Sequence, residues 1–322
     1  MSHTPTRGGV AKLGERGIRA FFYEGVEGIR KIGWVDRVST LFDSDQEIED
    51  YHGIGHVPMM RESANGRNAE QLTNFSYEIR NIEFDATVRV KKREMKRDKV
   101  GLIRKRMNEL AQTSEKHWAR LLTNLIENGE NAQSYDKKMF FATDHQEGKS
   151  PVQKNIITAA DYGVLNVADP TDPTAAELMK IFMKGIQHLY SFKDDQNEPR
   201  NEDETKFIAF VPVSMWGESA TTISSKNLAV AGGGNQDNPL KDSPDFSLDV
   251  VPNPRLSFTT DFVMSIDDGR SFIRQEEEEL DLAILGEDSD HYFNHKEIMV
   301  AAESTRNAGY GLWSSSVKLK LS

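Results

Sequence analysis

Residues 75–128 constrain the fold most. Phe75, Tyr77, Ile79, Ile82, Phe84, Ala86, Val88 and Val90 recur at near period two, the spacing of strands with one buried face. Beyond Val90 the period changes. Ile103, Met107, Leu110, Ser114, Trp118, Leu121, Leu122 and Leu125 follow three-and-four spacing across Lys99 to Asn128, with charges on the other face, and Gly129 stands where a helix would be capped. The chain must therefore seat a strand, or a pair of strands, beside a helix of roughly 28 residues, about 42 Å by helical rise. Ahead of the strands, Ile54, Val57 and Met59-Met60 lead to Asn65-Gly66, a dipeptide that suits a hairpin turn. A hairpin that long has no evident partner within the sequence, so a neighbouring molecule is expected to cover it.

The flanking segments read less uniformly. Residues 1–45 mix glycines with short apolar groups such as Phe21-Phe22-Tyr23 and Ile32-Gly33-Trp34-Val35, which suits an arm lying on another surface better than a self-sufficient core. Residues 146–172 read as loop, and a helix is expected from about Thr174 to Ser191. A polar linker, Lys193 to Glu204, precedes a buried strand at Phe207 to Pro212 and a short helix at Val213 to Ser224. Gly232-Gly233-Gly234 through Pro244 reads as loop. Strands are expected near Leu248–Val251, Ser257–Ile266 and Ser271–Arg274, then a final element at Lys296 to Ala302 that passes through a Gly-Tyr-Gly turn to Trp313 and a strand at Val317–Leu321. Helix and strand interleave without a βαβ rhythm, so the fold class is α+β, with no internal repeat.

Composition narrows the function classes. The 322 residues are 37% hydrophobic, enough to build a core, and the absence of cysteine removes disulfides and thiolate metal sites. No stretch approaches the ~20 apolar residues of a membrane helix, and Met1 to Arg19 has no apolar signal region. Cytoplasmic synthesis is expected, with Asn74-Phe75-Ser76 a chance sequon. The net charge of −11 is unevenly spread: residues 1–150 carry 25 Lys and Arg against 23 Asp and Glu, and residues 151–322 carry 15 against 28.

No chemical motif stands above chance. His52 and His56 have i, i+4 spacing, but Gly53 and Gly55 oppose a helix there and the metalloprotease Glu is missing. Asp144-His145 lacks a nucleophile motif and reads as a structural turn histidine. Glu276 to Glu279 cannot converge on one ion, and Gly232-Gly233-Gly234 lacks the Gly-Lys-Ser/Thr of a phosphate loop. No catalytic residue, metal or cofactor is expected. The pronounced electrostatic feature is Arg89 to Arg106, with ten cations against Glu94 and Asp98. Its candidate contacts are Arg89, Lys91, Lys92, Arg93, Lys96 and Arg97, which either face nucleic acid without sequence preference or pair with acidic surfaces of neighbouring copies. The run lacks aromatic residues that would stack on bases.

Two stretches carry a family resemblance. Tyr135-Asp136, Phe140-Phe141 and His145 resemble the segment that follows the spine helix in Mu-like major head subunits, and Arg306-Asn307-Ala308-Gly309-Tyr310-Gly311-Leu312-Trp313 resembles that family's closing motif. Phe207 to Pro212, Asn238-Pro239-Leu240, Val250-Val251-Pro252 and Phe272 to Glu279 are similar to family landmarks in the same order. Lys137 stands where the family often has glycine, Gln146 where it often has proline, and 192–205 reads as a variable insert.

The resemblance implies the Hong Kong 97 capsid fold: an N-terminal arm (1–46), an E-loop hairpin (47–82) with Asn65 and Gly66 at its tip, a peripheral domain with a long spine helix (83–145 and 292–322) and an axial domain (146–291). It implies a phage major capsid protein, assembled in the host bacterial cytoplasm into pentamers and hexamers of an icosahedral virion shell around double-stranded DNA. Implied partners are a portal protein, a decoration protein and a separate scaffolding protein, since no scaffold segment fits ahead of the arm. The founding phage crosslinks an E-loop lysine to a neighbour's asparagine; residues 51–90 hold no lysine, so no such chainmail is expected. The competing readings are an encapsulin-like compartment of the same fold, enclosing enzyme cargo, and a metal-dependent hydrolase using His52, His56 or His145.

Overall fold

The structure, a computed structural model, describes residues 15–28, 32–52, 76–97, 100–230, 234–241 and 243–321. Helix α1 (Glu15–Glu27) and the short α2 (Val35–Val38) precede strands β1 (Ser39–Asp43), β2 (Ile48–His52), β3 (Ser76–Arg80) and β4 (Ile82–Lys91). Helices α3 (Lys92–Arg97) and α4 (Val100–Asn128) follow, then β5 (Ile156–Ile157), α5 (Ala175–Ser191), β6 (Lys206–Val211), α6 (Trp216–Ser224), β7 (Asn227–Val230) and β8 (Gly234–Asp237). The chain ends with β9 (Ser247–Pro252), β10 (Asp261–Ile266), β11 (Phe272–Leu285), α7 (Asp290–His295), β12 (Glu297–Tyr310) and β13 (Ser316–Lys320). The class is α+β, as the patterning predicts.

The elements group into two compact units. The smaller comprises Met1–Ile32, Ile82–Ala119 and Glu276–Arg306; the larger comprises Gly33–Asn81, Arg120–Gln275 and Asn307–Ser322. Helix α4 and the 14-residue strands β11 and β12 each contribute to both.

In the smaller unit β4 and β12 pair antiparallel, from Ile82↔Arg306 to Lys91↔Glu297. One face of this pair and the long helix close a core of Val90, Ile103, Met107, Leu110, Ala111, Leu282, Ile298 and Val300. Ile18 and Phe22 of α1 are buried in the same core. Within the segment read as an arm lying on another surface, residues 15–27 form a helix that packs on α4 of the same chain. Gly25 permits the approach, because a Cβ there would come within 2.9 Å of the Asn108 Cα. Arg19 donates to the Leu282 carbonyl at 2.8 Å, and Arg104 pairs with Glu24.

The larger unit is built on a five-stranded sheet of order β5-β13-β10-β6-β9. β10 runs antiparallel to β13 and β6, whereas β6 and β9 run parallel. Phe207 to Val211 are all buried, as their unbroken apolar run predicts. Helix α5 begins at a Thr174–Glu177 capping box and packs Phe182 edge-on to Phe262, with ring centroids 5.3 Å apart. Gly185 keeps that helix close: a Cβ there would fall 2.4 Å from Met264 Sδ.

Several element limits differ from the sequence reading, each with a local cause. The period-two run breaks at Asn81, whose buried side chain donates to Ser44 Oγ (2.7 Å) and the Gln46 carbonyl (2.8 Å), so β3 pairs with β2 and β4 with β12. Glu276 to Glu279 do not end β11, which runs on to Leu285 with Glu277, Glu278 and Glu279 all exposed to water. Gly309 and Tyr310 extend β12 instead of turning, and Gly234 opens β8, which pairs with β7.

Candidate assembly site

Three features are candidates for a functional site: the root of the long hairpin, a buried polar cluster and the basic segment. At the hairpin root β2 and β3 pair antiparallel from Ile48↔Arg80 to His52↔Ser76. The ribbon is tied to the body of its unit by polar side chains. Gln275 donates to the Ile79 carbonyl (3.0 Å) and Asn81 Oδ1 (2.8 Å), and accepts from the Tyr51 hydroxyl at 3.1 Å. The Tyr77 hydroxyl accepts from the Tyr310 amide at 3.2 Å, and Gly309 leaves room for Ile79, whose Cδ1 would lie 2.5 Å from any Cβ there. The expected tip residues Asn65 and Gly66, and His56, lie outside the described residues.

The polar cluster joins the two stretches that carry the family resemblance. Phe140 stacks on Tyr310 with centroids 4.6 Å apart, and the His145 ring lies 4.1 Å from that of Trp313 at an angle of 4°. His145 is wholly buried, with Nδ1 2.6 Å from Asp136 Oδ2 and Nε2 3.2 Å from Asn155 Oδ1. The Asn155 amide donates to the carbonyls of Phe140 (2.7 Å) and Trp313 (3.2 Å), which fixes its orientation. Beside it the Glu147 carboxylate accepts from Trp313 Nε1 at 2.8 Å and from the Tyr135 hydroxyl, and pairs with Arg200 at 3.0 Å. Burial and then the Glu147 charge push the Tyr135 hydroxyl well above its ordinary pKa, so it stays a donor.

Sequence reasoning placed His145 as a structural turn residue but missed Glu147, Asn155 and Arg200. Arg200 and Asn201 fall within the segment read as a variable insert; Asn201 is buried and donates to the Leu189 and Ser314 carbonyls, and the Arg200 side chain is 5% exposed. Lys137 takes a left-handed φ of 64°, so the turn keeps the backbone that glycine would serve. Asp144 points outward to Lys138 and takes no part in the cluster. Among the described residues no group of three or more His, Asp or Glu could hold a metal ion.

The basic segment spans the end of β4, α3 and the first turns of α4. Arg89 and Lys91 lie on the exposed face of β4, with Arg89 Nη1 3.9 Å from Glu297. Lys92 Nζ sits 5.1 Å from the Tyr292 ring centroid, and Arg93 is exposed. Lys96 and Arg97 end α3, but their side chains lie outside the described residues. Arg104 and Arg106 pair with Glu24 and Glu94. The tertiary structure adds what the sequence around this run lacked, an aromatic: Phe293, on the same small helix as Tyr292, is 83% exposed.

The family described as Mu-like prophage major head subunit gpT matches residues 12–168, which include α1, the β2–β3 root, β4, α4 and the Tyr135–His145 turn. The major capsid protein of Escherichia phage Mu is 22% identical over 121 residues, a match spanning 38% of this chain and 38% of that protein's length. The mature capsid of bacteriophage PhiM1 superposes over 100% of this chain and 91% of its own, with a TM-score of 0.53 at 13% identity. The chain resembles the Mu-like major head subunits and has the Hong Kong 97 capsid fold. The same fold is shared, at a TM-score of 0.52 and 10% identity, by a virus-like particle from Pyrococcus furiosus, over 95% of this chain and 99% of that one. The superposition with a capsid thus covers the chain from end to end, while the family match covers residues 12–168.

Proposed function

We propose that this chain is the major capsid subunit of a tailed phage, which self-assembles into pentamers and hexamers of an icosahedral shell around double-stranded DNA. What carries the reading is the head-subunit match across residues 12–168 together with the capsid fold along the whole chain. The hairpin root fits it physically: a two-stranded ribbon is marginal alone, and packing across a neighbour buries what a monomer leaves wet. In this reading 1–46 is the arm, 47–82 the E-loop, 83–145 with 292–322 the peripheral domain and 146–291 the axial domain. A scaffolding protein, a portal and a decoration protein complete the particle, which forms in the bacterial cytoplasm and is the virion's shell. The subunit is structural and not an enzyme.

The compartment reading shares the fold, and the particle from Pyrococcus furiosus is the observation in its favour. The head-subunit match favours the phage. Electron microscopy of the purified full-length chain, alone and co-expressed with its scaffold, tests the proposal: closed particles of uniform size are expected, and a dispersed monomer under both conditions would overturn it. Genes for terminase, portal and head protease beside this one are expected for a phage; a cargo-enzyme gene instead would support the compartment.

A further inference from the structure

The β4–β12 pair carries opposite charge at its two ends. At one end Asp85 lies directly across from Glu303, and Glu83 lies across from Thr305, whose hydroxyl donates to Glu278 at 3.0 Å. All four carboxylates are exposed, and no Lys or Arg among the described residues pairs with Glu83, Asp85 or Glu303. Like charges directly opposite across a strand pair are destabilising, so an external cation would relieve this face.

The other end is basic. The Lys92 amide donates to the Lys296 carbonyl at 2.8 Å, which brings Lys91, Lys92 and Arg93 to the C-terminal end of α7. Lys91, Arg93 and Lys296 are exposed and in no salt bridge among the described residues; Glu297, across the strand pair from Lys91, lies 3.9 Å from Arg89 instead, and Phe293 of α7 is exposed. Asp290 opens α7 at its opposite end, whereas Glu287 accepts from the Tyr292 hydroxyl at 3.1 Å and so partly offsets Lys92, whose ammonium lies over that ring; among the described residues Lys91 and Arg93 have no such neighbour on α7's approach. Six residues of β4 separate Asp85 from Lys91, about 20 Å at a strand's ~3.3 Å per residue. A lysine side chain cannot span that, so no chain satisfies its own acidic end with its own basic end.

We propose that the Lys91–Arg93 corner of one copy, anchored by Phe293, docks on the Glu83, Asp85 and Glu303 face of the next copy. Charge complementarity selects the partner, and Phe293 selects protein over nucleic acid. A duplex offers phosphates to a sequence-independent contact and keeps its bases stacked, which leaves an exposed phenylalanine nothing to bury. Protein interfaces place aromatic anchors inside a charged rim. Because the two poles are different surfaces of one chain, the contact is head to tail, and it forms a ring when the rotation between copies closes. The inference rests on the shell-subunit reading and names the residues that join its copies.

Full-length chains carrying Lys91→Glu with Arg93→Glu, Asp85→Lys with Glu303→Lys, or all four changes are compared with the parent by sedimentation and electron microscopy, with a thermal melt of the unassembled fraction. Each pair is expected to lower particle yield about tenfold or more, and the fourfold variant to recover most of it. Phe293→Ala is expected to lower yield without moving the melt. Parental yield from either charge pair, or a fourfold variant that melts like the parent yet assembles no better than the pairs, overturns the contact. So do shells of the Lys91/Arg93 variant that form normally but package no DNA, since those assign the corner to nucleic acid. Should a reversal unfold the chain, Lys91→Gln with Arg93→Gln replaces it, with loss of yield again expected and unchanged yield again fatal. A parent that never assembles sinks the shell reading and this contact with it, which is distinct from a competent parent indifferent to the swap.

Discussion

Arg200 and Glu147 show what a single buried residue does in this chain. Their pairing at 3.0 Å is nearly inaccessible to water, and Glu147 also accepts hydrogen bonds from Trp313 and Tyr135. Removing one partner strands a buried charge, so Arg200→Ala is expected to cost about 3–5 kcal/mol in chemical denaturation, while Arg200→Met with Glu147→Gln, which keeps an uncharged acceptor for Trp313 and Tyr135, recovers much of the loss. Two other groups set the response to acid. Burial pushes the His188 pKa down, with Nε2 donating to the Lys154 carbonyl at 2.7 Å. Burial opposes ionisation of Glu130, but hydrogen bonds from Lys318 and Lys320, both 2.6 Å, outweigh it and hold the carboxyl below its ordinary value. Both folded pKa values lie below the unfolded ones, so both contributions are complete above the unfolded values and vanish as pH falls through the folded ones. Melting temperature is expected to fall first as pH drops below the ordinary histidine range and again below the carboxylate range; His188→Gln should remove the first step alone. His145 was legible as structural because no nucleophile motif accompanied it. Its partners Asp136 and Asn155 were not, because loop geometry brings them together and no periodicity records it.

At the scale of elements, the sequence and the structure part company over α1. Glycine-rich composition reads as an arm, yet Ile18 and Phe22 repeat at helical spacing and are buried against α4. Gly25 was counted as a sign of looseness, whereas its missing Cβ is what lets the two helices touch. Phe22→Ala is expected to cost the smaller unit about 3–5 kcal/mol and to expose α1 to limited proteolysis; unchanged protection would show that the docked helix contributes nothing. The long helix itself was legible to within a residue at each end, because a sustained three-and-four stripe has no strand alternative. β11 and β12 were read too short, since runs of glutamate and a Gly-Tyr-Gly sequence look like terminators when the paired strand beside them is unknown.

For the whole molecule, the absence of lysine from residues 51–90 means that an assembled particle must hold by packing and charge alone if the E-loop is its crosslinking element. Mature particles boiled in denaturant are expected to run as a single band near 36.4 kDa on a gel, and a covalent ladder of the chain would refute this. By itself the sequence determined the α+β class, the strand-to-helix succession at residues 75–128, the family likeness and the basic density after Arg89, because each is written in local period, motif or count. Only the tertiary structure decided that Arg200 joins Glu147, that α1 folds back on its own chain, and that Asp85 meets Glu303 while Lys92 meets the end of α7. Those facts depend on which segments pack side by side, and contacts between residues far apart in the chain leave no periodic trace in it.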